Sequence, residues 1–247
     1  MDPKLYIKMA EVEKTHWWFR SRRKIVRSII TKYTYDIKNK NCEILSVGCG
    51  TGGNFQMLCK FGKIFAMDVD SKAVEISRKL NIADVEKGKL PHQIPFGNKC
   101  FDIITATDVL EHINDDKESL IAISKRLNQK GKLILTVPAH NYLWSKHDEL
   151  HHHVRRYSKE ELINKLKETG FNIEFISYYN FFLFPIVYIV RSLTKNKENI
   201  TPDELNKIPN KLVNKILEYI FSFEKFFLGW VRFPQGVSLI AVVSKIQ

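Results

Sequence analysis

Apolar residues along this chain gather in short runs rich in β-branched side chains, and each run is flanked by a segment with helical spacing. The runs are EILSV at 43–47, KIFAM at 63–67, FDIITAT at 101–107 and KLILTV at 132–137. The helical segments between them include SKAVEISRKL and DDKESLIAISKRL. This alternation predicts βαβ units, and therefore an α/β fold whose parallel sheet carries helices on both faces.

The second half of the chain continues the pattern and then interrupts it. SKEELINKLKETGF predicts a helix with Ser158 as its N-cap, Glu161 completing a capping box and Gly170 ending it. NIEFISYY and GVSLIAVVSKI predict two more strands. Between them lies a long apolar and aromatic segment, in which KLVNKILEYIFSFEKFFLGWV has helical spacing.

The predicted domain organisation is one core with two additions. A chain of 247 residues is large enough to bury one sizeable interior. HWWFRSRRKIVRSII predicts a helix ahead of the first strand. We therefore expect an N-terminal helical lid over 1–40, a core over 41–179 and 236–247, and a helical insertion or cap over 180–235.

The first strand runs into a glycine-rich turn, ILSVGCGTGGNFQML. Glycines let the backbone turn tightly and bring amide N–H groups close to a ligand. Asp68 ends the next predicted strand, about 20 residues after Gly48, the spacing of a carboxylate that accepts from ribose hydroxyls. The pattern predicts a nucleoside-containing cofactor. Gly48, Gly50 and Gly53 also satisfy the dinucleotide fingerprint, so an NAD(P)-dependent oxidoreductase is an alternative.

Four segments together resemble class I S-adenosylmethionine-dependent methyltransferases, in particular the ubiquinone/menaquinone-type group: VGCGTGG, FAMDVDSKAVEISR, IPFGNKCFDIITATDVLEHI and LNQKGKLILTVP. The resemblance implies a Rossmann-like, seven-stranded, mostly parallel sheet with an antiparallel last strand. It also implies S-adenosyl-L-methionine as cofactor and a methyltransferase activity.

The same resemblance implies roles for particular residues. Gly48, Cys49 and Gly50 would contact the methionine part of the cofactor, and Asp68 the ribose. The adenine would be flanked or capped by Val69 and Leu90, and Thr107 and Asp108 would lie beneath the methyl donor. Lys89 stands where the family often has an acidic residue that binds the adenine amine.

The segment DVLEHI supplies candidate catalytic residues. It follows the fourth strand, at the edge where open α/β sheets bind ligands. His112 is a candidate general base because imidazole titrates near neutral pH, and Glu111 and the more distant His147 are further catalytic candidates. The alternative is that Glu111 and His112 only brace the pocket.

The segment PAHNYLWSKHDELHHHVRRYS at 138–158 holds five of the eight histidines. Adjacent histidines such as His151 to His153 point apart on a regular element, so we expect no metal site. We expect a substrate-facing loop instead, with Trp144 as an apolar wall, His151 as a polar contact, and Arg155 and Arg156 as anchors for an anionic group.

Net charge and motif content limit the kinds of molecule that this chain is expected to bind. The net charge is +12, with the basic excess in the two ends of the chain. No NPPY-type motif is present, so we expect no nucleic acid and favour O-methylation of a small-molecule or lipid-linked acceptor. A nucleic-acid methyltransferase and a non-catalytic cofactor-binding protein are the alternatives.

The cysteine pattern and the N-terminal sequence predict the cellular setting. Four cysteines without a CxxC pair, and a start without an apolar signal core, predict a cytoplasmic protein. The wide aromatic face of the insertion suits core packing or a homodimer interface. It also suits peripheral contact with the inner face of a membrane.

Overall fold

A computed structural model describes residues 10–37, 42–194 and 208–246. The predicted lid, core and insertion each extend beyond these ranges, since residues 1–9, 38–41, 195–207 and 247 lie outside the described residues. Seven strands form one sheet: β1 Glu43–Val47, β2 Lys63–Asp68, β3 Ala83–Lys87, β4 Phe101–Thr107, β5 Leu127–Pro138, β6 Phe171–Tyr179 and β7 Ser238–Lys245.

Eight α-helices are numbered here in the described ranges: α1 Trp17–Tyr33, α2 Phe55–Leu58, α3 Ser71–Arg78, α4 Asp116–Lys125, α5 Lys146–Leu150, α6 Lys159–Glu168, α7 Phe184–Thr194 and α8 Lys211–Phe223. A further helical stretch covers 10–15. Among the described residues, no helix is both long and apolar enough to cross a bilayer.

The sheet confirms the predicted fold class. Its strand order is β3-β2-β1-β4-β5-β7-β6. The pairings among the first five strands are parallel, whereas β7 pairs antiparallel with both β5 and β6. Strands β1, β4 and β7 are almost completely buried, as expected of strands covered on both faces. The first turn after β1 therefore lies at the carboxyl edge of the sheet beside the end of β4.

Strand β3 was not predicted from the sequence. Its residues ADVEK include only one fully buried side chain, Val85. The strand lies at the edge of the sheet and pairs only with β2 within the described ranges. An edge strand with one apolar residue has no hydrophobic run to reveal it.

The predicted end signals of helix α6 are present. Ser158 accepts a hydrogen bond from the Glu161 backbone N–H at 3.0 Å, and Gly170 follows the helix with a φ of 81°. The reciprocal capping box occurs instead on α5, between Ser145 and Asp148.

Helix α8 packs on α1, so the insertion and the N-terminal helix form one layer. Glu218 on α8 is an ion-pair partner of both Arg20 and Lys24, with N···O distances of 3.0 and 2.6 Å. Trp18 and Phe221 lie with their ring centroids 5.2 Å apart. This layer closes one side of the space above the carboxyl edge of the sheet.

Candidate active site

A cavity of about 470 Å³ lies above the carboxyl edge of the sheet. Its floor contains Gly48 after β1, Thr107 at the end of β4 and Pro138 at the end of β5. Helix α1 contributes Trp18, and α7 contributes Val187. The cavity thus lies where the fold places ligands.

The glycine turn forms one wall of the cavity, as predicted. Gly48 and Gly50 have φ values of 60° and 54°, which favour glycine. A Cβ on Gly48 would come within 2.6 Å of a Val109 methyl, whereas a Cβ on Gly50 would meet no atom within 4 Å. The backbone at Gly50 therefore faces open space that a ligand can occupy.

Asp68 holds this turn in place. Its carboxylate accepts from the backbone N–H of Gly50 at 2.8 Å and of Asp70 at 3.0 Å. Burial raises the pKa of Asp68. An open glycine cradle beside a carboxylate fits a nucleoside-containing cofactor. Gly48 and Gly50 line the cavity, whereas Asp68 lies behind the turn and outside the lining, so its contact with the ribose remains a prediction, as does the contact of the two glycines with the methionine part.

Two predicted adenine contacts lie outside the cavity lining. Val69 is exposed beyond the end of β2, and Leu90 is buried in the core. Cys49 lines the cavity, and burial raises the pKa of its thiol to about 12. The roles assigned to these three side chains remain predictions.

The end of β4 carries a polar cluster. The Asn54 side-chain amide donates to the Thr107 hydroxyl at 3.2 Å. Asp108 has a φ of 55°, accepts from the Thr136 hydroxyl at 2.8 Å, and forms an ion pair with Arg22 of helix α1. A non-glycine residue in this conformation is held by its surroundings, which is common at functional sites.

The N-terminal segment contributes two residues that the sequence did not single out, Glu13 and His16. The Thr51 hydroxyl donates to Glu13 at 2.7 Å, and the Arg23 guanidinium donates to the Glu13 carbonyl at 2.6 Å. His16 caps α1 and also lines the cavity. Glu13 joins the lid to the glycine turn through contacts distant in sequence, and no local pattern predicts such a pairing.

Glu111 faces the same cavity without a partner. Its side chain is fully buried, and neither carboxyl oxygen has a hydrogen-bond partner among the described residues. Burial, together with the nearby charge of Asp108, raises the pKa of Glu111 well above its usual value. A buried polar group without a protein partner is a strong candidate for ligand contact.

The structure brings together three predicted histidines, His112, His147 and His151, and adds His153. The rings of His112 and His153 lie 4.8 Å apart, and those of His147 and His151 lie 4.4 Å apart. Burial lowers the pKa of His112 to about 4, with a further lowering from His153. Burial also lowers the pKa of His147 well below its usual value.

His153 is oriented by a buried carboxylate. Its Nδ1 lies 2.8 Å from Asp148 Oδ1. Asp148 also pairs with Arg156 at 2.8 Å and with Arg191 at 3.4 Å. Burial alone would raise the pKa of Asp148, but the hydrogen bond with His153 and the charges of both arginines lower it below its usual value. Asp148 is therefore an ionised acceptor.

Of the other residues predicted to contact the substrate, only one lines the cavity. Trp144 is partly buried but is not part of the cavity lining. Arg155 lies outside the lining as well, paired with Asp116 at 3.0 Å. Arg156 lines the cavity, but its guanidinium is committed to Asp148 and to the Ala139 carbonyl at 2.7 Å.

One group in the cavity has the composition of a metal site. Ligand atoms of Glu111, His112 and His153 lie within 4.8 Å of one another. The prediction of no metal site was argued from the adjacent histidines of one loop. This group instead combines Glu111 and His112, which follow β4, with His153 of the loop after β5. Arg22 and Arg156 act electrostatically on Glu111, which disfavours a further cation there. Metal independence remains a prediction.

Comparisons with curated proteins identify relatives over part of the chain. The ubiquinone biosynthesis O-methyltransferase of Schizosaccharomyces pombe is 26% identical over 144 residues, which are 51% of this chain and 52% of that protein. An uncharacterised protein of Methanocaldococcus jannaschii is 27% identical over 180 residues, 73% of this chain and 68% of that protein. The chain spans about half the length of the first of these curated relatives.

Solved structures share the fold. The plantazolicin methyltransferase BpumL, in complex with a monoazolic desmethylPZN analog and SAH, has a TM-score of 0.62 at 15% identity, and the match covers 99% of this chain and 90% of that one. A methyltransferase from Clostridium acetobutylicum has a TM-score of 0.58 at 14% identity, with 91% and 92% covered.

The family assignment rests on a match to the family described as "Methyltransferase domain", which extends over residues 17–175. This match includes the glycine turn, Asp68, the end of β4 and the histidine loop, and it covers more than half of the chain. The chain therefore belongs to this methyltransferase family.

Proposed function

We propose that this enzyme methylates an oxygen atom of a small-molecule or lipid-linked acceptor. The observation that carries the proposal is the position of Glu111, buried and without a protein partner, in a cavity whose other wall is the glycine turn. Curated relatives at 26–30% identity include several O-methyltransferases, which supports oxygen as the acceptor atom.

Methyl transfer needs the acceptor oxygen in line with the methyl group, and loss of a proton when the acceptor is a hydroxyl. When bound, S-adenosylmethionine supplies a methyl group on a positively charged sulfur. The turn at Gly48 and Gly50 orients that ligand from one side. Glu111, kept protonated by its raised pKa, can donate a hydrogen bond to the acceptor from the other side.

His153 is the proposed general base. Asp148 is ionised and can only accept, so the Nδ1 of His153 carries the proton of their hydrogen bond. The Nε2 lone pair is then available to take the proton of an acceptor hydroxyl. His112, packed edge-on at 4.8 Å, limits the orientation of the His153 ring and is the second candidate for this role.

The acceptor we favour is apolar over much of its surface. Trp17, Trp18 and Val187 line the cavity beside the polar groups. A quinone-like phenol, a polyprenyl-linked sugar and a carboxylate all combine an apolar body with an oxygen nucleophile. Since Arg156 is paired inside the protein, recognition of an anionic group does not depend on it.

We also propose a reducing, cytoplasmic setting. The cysteines Cys42, Cys49, Cys59 and Cys100 are all free thiols in the structure. Free thiols, two of them buried, are typical of compartments that keep cysteines reduced.

A defined acceptor panel tests this function. The purified enzyme would be incubated with S-adenosylmethionine and phenols, carboxylates, amines or RNA, and products would be identified by mass spectrometry. We expect O-methylated product from an apolar phenol or carboxylate, its loss in the Glu111→Leu variant, which cannot donate a hydrogen bond, and its retention in Glu111→Gln, whose amide still donates one. Methylation of only amines or RNA would overturn the proposal.

A further inference from the structure

Helix α8 is apolar on two opposite faces. One face packs on α1 through residues such as Phe221, which is fully buried. The other presents Leu212, Ile216, Tyr219 and Phe223, each between 39% and 70% exposed. Their spacing of three and four residues places them on one stripe. The stripe is therefore a contiguous exposed apolar surface, and such surfaces mark interaction sites.

The stripe continues beyond the helix. Phe226 and Trp230 extend the same spacing and are 64% and 82% exposed. The Phe223 ring lies 5.9 Å from that of Phe226. The exposed surface from Leu212 to Trp230 therefore forms one apolar ridge.

Helix α7 carries a second exposed apolar stripe. Ile186, Ile189 and Leu193 repeat at helical spacing and are 55%, 56% and 75% exposed. Phe182, one turn before Ile186, lies 6.2 Å from the Phe223 ring of the ridge. The ridge and the α7 stripe, joined by this contact, form the apolar shelf.

The charges around the shelf have one sign. The acidic residues in the described part of the insertion, Glu218 and Glu224, are both buried: Glu218 pairs with Lys24, and Glu224 accepts from backbone N–H groups at 180–182. Lys211, Lys215 and Arg232, in contrast, are exposed. An apolar surface with basic residues and no exposed carboxylate among the described residues matches an anionic lipid headgroup layer.

A second copy of the chain is a poorer occupant. In a two-fold symmetric dimer the same patch of each copy meets its equivalent, so Lys211 and Lys215 would approach their counterparts. No exposed carboxylate among the described residues of the patch would compensate for that repulsion. Aromatic side chains with a polar end, Tyr219 and Trp230, are in addition the types enriched at the boundary between lipid and water.

We propose that the apolar shelf docks the enzyme on the surface of an anionic phospholipid bilayer. Helix α7 would then separate the bilayer from the cavity, since Val187 on its inner side lines the cavity while Ile186 and Ile189 face outward. Docking would present the cavity to molecules dissolved in the membrane. The docking itself does not depend on the identity of the methyl acceptor.

Vesicle flotation of the full chain tests the proposal without cofactor or acceptor. The vesicles would be phosphatidylcholine alone or phosphatidylcholine with phosphatidylglycerol. We expect binding to the mixed vesicles, and weaker binding to the neutral ones. Leu212→Ser and Phe226→Ser should each weaken the partition coefficient about tenfold, because each removes a large apolar side chain from the lipid contact.

Matched controls separate docking from misfolding. Ile246→Ser alters an apolar residue that is 59% exposed and follows β7, at the amino edge of the parallel strands, and should leave binding unchanged. Lys211→Glu with Lys215→Glu should remove the preference for phosphatidylglycerol, whereas Lys130→Glu, on an exposed position of β5, should not. All variants should keep the wild-type circular dichroism spectrum.

Two results would overturn the proposal. One is the absence of binding to either kind of vesicle. If sedimentation then shows a dimer that Leu212→Ser dissociates, the shelf is a dimer interface instead. The other is vesicle binding that the shelf variants leave unchanged. Failure of the proposed function would show only in the methylation assays, so the two failures are distinguishable.

Discussion

The Nδ1 atom of His153 lies 2.8 Å from the Oδ1 atom of Asp148. Asp148 is fully buried, and it is held in turn by Arg156 at 2.8 Å. A histidine that donates from one ring nitrogen to a fixed carboxylate keeps the other nitrogen available as a base. This pair therefore links the loop after β5 to the proposed chemistry.

Replacing His153 should slow methyl transfer without weakening cofactor binding. We expect His153→Ala to lower kcat by about 10²-fold or more, the usual contribution of a general base. Calorimetry should give an unchanged affinity for S-adenosylmethionine. His152→Asn is the matched control, because His152 is exposed and asparagine tolerates its φ of 56°. Full turnover in His153→Ala would exclude this residue as the base.

Asp148 should contribute to stability in a pH-dependent way. Its lowered pKa means that its contribution is present above the unfolded-state pKa of about 3.9 and is lost as the pH falls through the lower folded-state value. We expect Asp148→Asn to lower the free energy of unfolding by about 3–5 kcal/mol at neutral pH, because it leaves Arg156 buried and unpaired. Urea unfolding should show a smaller difference between the two proteins at about pH 3.

The control for this experiment is Glu149→Gln. Glu149 is an exposed neighbour that pairs with Lys146 on the surface. Such pairs contribute about 0–1 kcal/mol, so the variant should unfold nearly as wild type does. An Asp148→Asn protein with wild-type stability at neutral pH would contradict the ionised, paired state of Asp148.

A methyl group on Gly50 should obstruct the cofactor. Gly50 and Gly97 have similar φ values of 54° and 57°, and a Cβ on either would meet no protein atom within 4 Å. The backbone strain of Gly50→Ala and Gly97→Ala should therefore be alike. Only Gly50 lines the cavity, so we expect at least about tenfold weaker S-adenosylmethionine binding for Gly50→Ala alone, or about 1.4 kcal/mol. Equal affinities in a titration would refute the assigned cradle.

Activity should not depend on a divalent metal ion. We expect turnover to be unchanged after treatment with a chelator and after addition of magnesium or zinc. The reason is the positive charge of Arg22 and Arg156 acting on the group formed by Glu111, His112 and His153. Loss of activity on chelation, with recovery on adding one metal, would reassign that group as a metal site.

Much of the fold could be predicted because its strands are buried on both faces. The runs that became β1 and β4 are short, nearly continuously apolar and rich in β-branched side chains, and these features located them. Strand β3 has one buried residue and gave no such signal. The glycine turn was predictable for a local reason as well, since its positive φ values require glycine.

The candidate site was harder to predict because its partners are distant in sequence. The sequence indicated that histidines gather near the end of β5, but it could not show which one would meet Asp148. Arg156 was expected to anchor a substrate, yet it is paired with Asp148 inside the protein. Glu13 reaches Thr51, 38 positions away, and only the packing of the N-terminal segment makes that contact.

The most direct test of the central proposal is label transfer from methyl-radiolabelled S-adenosylmethionine into an extract of the source cells. The extract would be separated afterwards into organic, aqueous small-molecule and macromolecular fractions. We expect label in one of the two small-molecule fractions, in the organic one if the acceptor is lipid-linked, and its loss with Glu111→Leu and His153→Ala. Label confined to nucleic acid or protein would contradict a small-molecule or lipid-linked acceptor.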